Sequence, residues 1–144
     1  MSIKVNVMFL LFISAIFGAF NFEVFFMGQT PTETQGFISL SFVFLWLIYG
    51  FITSFKKIKY FLIFITLYWC IGLLLTLIVC LLQWYILIIP LTCIYFAPLD
   101  GLRYFFKVPI DGNFFYFAIF LSYLVTVFGC FLGKLTINKP TSKK

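Results

Sequence analysis

The sequence predicts an all-α integral membrane protein, a four-helix bundle with a short extracytoplasmic interfacial helix. Three observations carry that prediction: too few charges for a soluble surface, four apolar stretches of spanning length, and basic residues that one threading gathers on one side. Of 144 residues, 64% are hydrophobic, 24% aromatic and 10% charged, with a mean hydropathy of +1.15. A soluble domain carries about 25% charged residues. A chain this poor in charge cannot cover a globular surface with polar groups, and the solvent that suits it is lipid.

A spanning helix needs about 20 mainly apolar residues. The first candidate is "VNVMFLLFISAIFGAFNF", about 5–22. Lys4 ahead of an apolar core also resembles a secretory signal, but Ile16 and Phe17 are poor residues three places before a cleavage point, so the segment reads as an uncleaved span. The second is "GFISLSFVFLWLIYGFITSF", 36–55, joined to the first by a polar loop with Glu23, Pro31 and Glu33. "FKKIKY" permits only a tight turn into the third span, 60–82, so spans two and three form an antiparallel hairpin. The fourth, "FFYFAIFLSYLVTVFGCFL", covers 114–132 and precedes a tail at 134–144.

With four spans, Lys4, Lys56, Lys57, Lys59, Lys134, Lys139, Lys143 and Lys144 share one side, eight of the ten basic residues. Loops rich in Lys and Arg stay in the cytoplasm, so both termini are expected there, in a multi-pass protein of the cell membrane. The stretch 84–98, "WYILIIPLTCIYFAP", is apolar but short, and Pro90 would remove a hydrogen bond from its middle. A fifth crossing there would also put the lysine-rich tail outside. The segment 84–113 is therefore expected on, or dipping into, the outer face.

At 100° per residue, a helix over 99–108 gathers Asp100, Arg103, Tyr104 and Lys107 on one side, with Leu99, Leu102, Phe105 and Phe106 opposite. That is the pattern of an interfacial helix with its apolar face in the acyl region. The four polar residues are the candidate face for a partner; the plainer reading is a connector over the end of the bundle. Asp100–Arg103 would then be an exposed pair of little energetic weight.

In the fourth span Ser122, Thr126, Gly129 and Gly133 fall on one strip, the last two as a G-x-x-x-G pair. Small residues let helices approach closely in lipid, where packing drives association. They are expected to pack within the chain rather than between copies. Ser14, Ala15, Gly18 and Ala19 form a similar strip in the first span.

The chain has no histidine, which excludes His-ligated haem, zinc or copper and Ser-His-Asp chemistry within it. The four cysteines form no C-x-x-C pair and no disulfide framework. No stretch resembles a nucleotide fingerprint or metal cage, and no cofactor is expected. No span carries an ionisable residue at its centre, the usual mark of a pump or proton-coupled transporter. Basic residues split among termini and one turn give no nucleic-acid footprint. The expectation is a non-catalytic accessory, assembly or immunity-type protein whose partners are the bilayer and another membrane protein or a second copy. The alternative is an oligomeric pore or small-solute transporter.

Overall fold

The computed structural model describes residues 3–56, 60–82, 85–109 and 112–137. Among them every regular element is helical: α1 (Ile3–Phe26), α2 (Glu33–Phe55), α3 (Phe61–Leu82), α4 (Tyr85–Tyr95), α5 (Ala97–Asp100), α6 (Arg103–Phe106) and α7 (Gly112–Ile137). The four long helices have 24, 23, 22 and 26 residues. At 1.5 Å per residue each exceeds the roughly 30 Å of a bilayer's hydrocarbon core. Helices α1, α2 and α7 are long and apolar enough to cross a membrane, while the apolar run of α3 counts over Phe61–Leu75 among the described residues.

Helix α2 begins three residues earlier than the apolar run suggests, because Thr32 caps it. The Thr32 hydroxyl accepts from the Gln35 amide at 3.4 Å, and Gln35 Oε1 accepts from the Thr32 amide at 2.8 Å. This reciprocal capping box satisfies two amides that a helix start would otherwise leave unpaired. Gly28, at φ +65°, turns the chain out of α1 ahead of it.

Ring and backbone contacts fix the directions. Phe9 meets Tyr49, Phe17 meets Phe42, and Asn21 bonds Ser39, so α1 and α2 are antiparallel. Phe61 lies beside Tyr49, and Tyr68 and Trp69 beside Trp46, which makes α3 antiparallel to α2. Helix α7 runs parallel to α2, with Thr126 against Gly50 and Gly133 against Phe51 and Ser54. The bundle thus has a loop end, at residues 27–32, and a lysine end, at Lys56.

The segment after α3 turns back into the bundle. Helix α4 packs on α3 and α1: the Tyr95 ring lies on Gly72, halfway along α3, and the Cys93 carbonyl lies on Gly18 of α1. The chain then reverses at Phe96. Helix α5 wedges between α1 and α2, where Ala97, Pro98, Leu99 and Asp100 are all buried, and α6 leads back to the loop end. Pro90 is accommodated inside α4, so the proline that argued against a crossing does not prevent a helix.

The expected single helix over 99–108 is instead two separate turns. Leu102 N–H bonds Leu99 O, Tyr104 N–H bonds Gly101 O, and Phe105 N–H bonds Leu102 O, all i→i−3 spacings. Winding of that kind has three residues per turn. Asp100 and Arg103 align on one edge, while Lys107, bonded i→i−4 to the Arg103 carbonyl and at φ +52°, ends the second turn away from it. Gly101 makes the bend possible, since a Cβ there would strike the Gln35 carbonyl.

The core is aromatic. Trp46 sits with Phe42, Tyr49, Tyr68 and Trp69 at centroid distances of 5.2–6.2 Å, and Tyr95 closes the group from α4. Their tilted and edge-on arrangements are the favoured ones for aromatic pairs.

Candidate functional site

The residues singled out in the segment 84–113 divide into two pairs. Asp100 and Arg103, expected on an exposed polar face, are buried, with side-chain exposures of 0% and 1%. Tyr104 and Lys107 are exposed. Their burial follows from the wedge position of α5 and the break between α5 and α6. The neighbouring Asp111 lies outside the described residues.

The ion pair is bidentate. Arg103 Nε donates to Asp100 Oδ1 at 2.7 Å, and Nη2 donates to Oδ2 at 3.0 Å. The same Nη2 donates to the Gln29 carbonyl at 2.8 Å, tying the re-entrant segment to the loop between α1 and α2. Burial pushes the Asp100 carboxyl up from its ordinary pKa, and the hydrogen bond and charge of Arg103 pull it back. A buried pair spends much of its Coulomb attraction on desolvation. Its value here lies in fixing one position for the segment, because any displacement would leave a charge unpaired.

A second polar contact lies beside it. Asn21 and Ser39 are fully buried, and Asn21 Nδ2 donates to Ser39 Oγ at 2.9 Å. Ser39 Oγ also lies against Gly101, which brings α1, α2 and the end of α5 together. Asn21 stands near the end of the first apolar run, yet it is buried. Its spacing from Ser14 and Gly18, seven and three residues, was the signal that it belongs to the buried strip.

Ser122, Thr126, Gly129 and Gly133 are all buried. The two glycines lie directly on α2: a Cβ at Gly129 would meet the Leu47 carbonyl, and one at Gly133 the Phe51 carbonyl. Gly50 makes the same approach from α2 onto Thr126. The hydroxyls of Ser122 and Thr126 bond the carbonyls of Ala118 and Ser122 at 2.9 and 2.7 Å. They satisfy themselves within α7, so the helix-to-helix contact is one of backbone and small side chains. Side-chain hydrogen bonds between long helices join Ser14 to Tyr68 at 3.0 Å and Thr66 to Tyr123 at 3.1 Å.

Chemically the arrangement is closed. Both carboxylate oxygens of Asp100 are engaged by the Arg103 guanidinium. Among the described residues no group of three His, Cys, Asp or Glu side chains gathers to hold a metal. Cys70, Cys93 and Cys130 are free thiols, and burial pushes the Cys93 thiol, which lies in α4, up from its ordinary value. That is the direction of an unreactive cysteine. Compared with known proteins, the chain matches no family model, no curated protein and no solved structure.

Proposed function

We propose that the chain is a four-span protein of the cell membrane with cytoplasmic termini, acting without catalysis as an accessory, assembly or immunity-type subunit that binds another membrane protein. The observation that carries this reading is the closed interior. The segment between α3 and α7 fills the space between α1 and α2, and its Asp100–Arg103 ion pair is turned inward on itself. What the bundle offers outward is a cluster at the loop end, where Tyr104, Phe105, Phe106 and Lys107 are exposed beside Phe37. Exposed aromatics with a neighbouring cation suit the rim of a membrane protein and a partner met there. The fourth span is α3, and the alternating directions of α1, α2, α3 and α7 agree with an even number of crossings.

A second reading, a pore or transporter, draws on the same segment. Discontinuous helices that end inside a bundle, and charges held at depth, are features of transport sites. Pure protein in liposomes distinguishes the two. The accessory reading expects ion and small-solute fluxes equal to empty vesicles, with a membrane protein co-purifying in mild detergent and lost on Tyr104→Ala with Lys107→Ala. Flux that depends on the protein, and that Arg103→Met alters, would replace it with the transport reading.

A further inference from the structure

We propose that the lysine-end groove between α1 and α2 is a binding site for one anionic phospholipid, with an acyl chain in the groove and the headgroup at Lys56. Where α5 separates α1 from α2 near the loop end, the gap is filled by protein. Nearer the lysine end no described residue takes its place, and a cavity of about 160 Å³ remains, walled by Phe9, Leu10, Ile13, Trp46, Tyr49 and Ile52 among others. Phe9 and Ile52 are 47% and 42% exposed, so the cavity opens sideways on the surface that faces lipid, not toward the bundle interior.

Two observations point to a lipid with a negative head rather than to any apolar filler. Ile48, Ile52 and Lys56 follow at intervals of four, so they share one face of α2, and Lys56 stands exposed one turn beyond the groove. Eight of the ten basic residues belong to this side of the threading, among them Lys57 and Lys59, which lie outside the described residues. Within the groove wall the Tyr49 hydroxyl is buried and has no hydrogen-bond partner. It lies seven residues, about 10 Å, below Lys56 along α2. That is the level of the ester carbonyls beneath a headgroup, and the hydroxyl donates to one when lipid entering the groove turns the ring toward it. A basic residue at the membrane surface favours an anionic headgroup by roughly 1 kcal/mol, about fivefold in binding.

The inference rests on the membrane reading given above, and the test separates the two. A chain carrying Trp69→Phe and Trp84→Phe keeps Trp46, in the groove wall, as its fluorophore. It is reconstituted in vesicles of phosphatidylcholine to which chain-brominated phosphatidylglycerol or chain-brominated phosphatidylcholine is added, since bromine quenches indole on contact. The expected result is stronger quenching by the brominated phosphatidylglycerol, with the preference cut about fivefold by Lys56→Gln. Equal quenching by the two lipids, or a preference that Lys56→Gln leaves intact, would overturn the site. Failure of the chain to float with vesicles would instead remove the membrane reading beneath it. Native mass spectrometry on the unaltered chain, released from micelles holding both lipids, gives the same comparison without the tryptophan changes. Retention of phosphatidylglycerol no greater than that of phosphatidylcholine would overturn the proposal there too.

Discussion

Replacing Arg103 with Met should be among the most damaging single changes in the chain, although it keeps a long unbranched side chain. Asp100 would remain with 0% exposure and would lose both hydrogen bonds, the 2.7 Å bond to Oδ1 and the 3.0 Å bond to Oδ2. Stranding one partner of a buried pair costs about 3–5 kcal/mol, against about 0–1 kcal/mol for an exposed pair. Asp100→Leu strands the guanidinium in the same way. The double variant Asp100→Leu/Arg103→Met buries no charge and should be more stable than either single one. The assay is unfolding in mixed detergent micelles, followed by tryptophan fluorescence. Acid should narrow the deficit of Arg103→Met. Burial already raises the Asp100 pKa, and the variant removes the influence that lowers it. A carboxyl with a raised folded pKa destabilises above its unfolded pKa of about 3.9, and the loss is recovered as pH falls toward that value. A change within about 0.5 kcal/mol for Arg103→Met, or additive single variants, would mean that the pair is exposed after all.

Three further outcomes follow from the packing. Gly129→Leu drives a side chain into the Leu47 carbonyl and should cost about 1–3 kcal/mol by overpacking, read as a lower thermal midpoint in detergent; an unchanged midpoint would break the α2–α7 contact as described. Tyr68→Phe removes only the 3.0 Å bond to Ser14 and should cost about 0.6 kcal/mol, the usual size of such bonds between membrane helices, in the same unfolding assay. Thr32→Ala loses the cap of α2 and should cost about 1 kcal/mol, while Thr32→Asn, which can still cap, should stay near the parent.

The long helices were legible because each is a run of apolar residues whose length the bilayer dictates. The face of α7 was legible as well, since Ser122, Thr126, Gly129 and Gly133 recur at helical spacing whatever the neighbour is. The start of α2 was written in the sequence as Thr32 and Gln35, a capping box that hydropathy alone passes over. The re-entrant segment was another matter. Its helical wheel assumed one continuous helix, and the chain instead makes two short turns, the first wedged between α1 and α2, which puts Asp100 and Arg103 in the interior. No local pattern announces such a change. It depends on Gly101 meeting Gln35, some 66 residues away in the chain. Trp46 likewise has its partners on α3, at Tyr68 and Trp69, a pairing no local period encodes. The absence of ionisable residues from the long apolar runs argued against buried charge, yet the chain buries a matched pair contributed by the segment between α3 and α7.

The central claim is the threading: four crossings, a segment that enters and leaves on the outer side, and both termini in the cytoplasm. Single cysteines at Glu33, Lys56, Lys107 and Lys134, with Cys70, Cys80, Cys93 and Cys130 replaced, test it most directly. A membrane-impermeant thiol reagent applied to intact cells should label positions 33 and 107, and reach 56 and 134 only after lysis. Labelling of position 134 from outside would contradict the account, since the two crossings between Lys56 and the tail would have to become an odd number, as they would if α4 passed through the membrane.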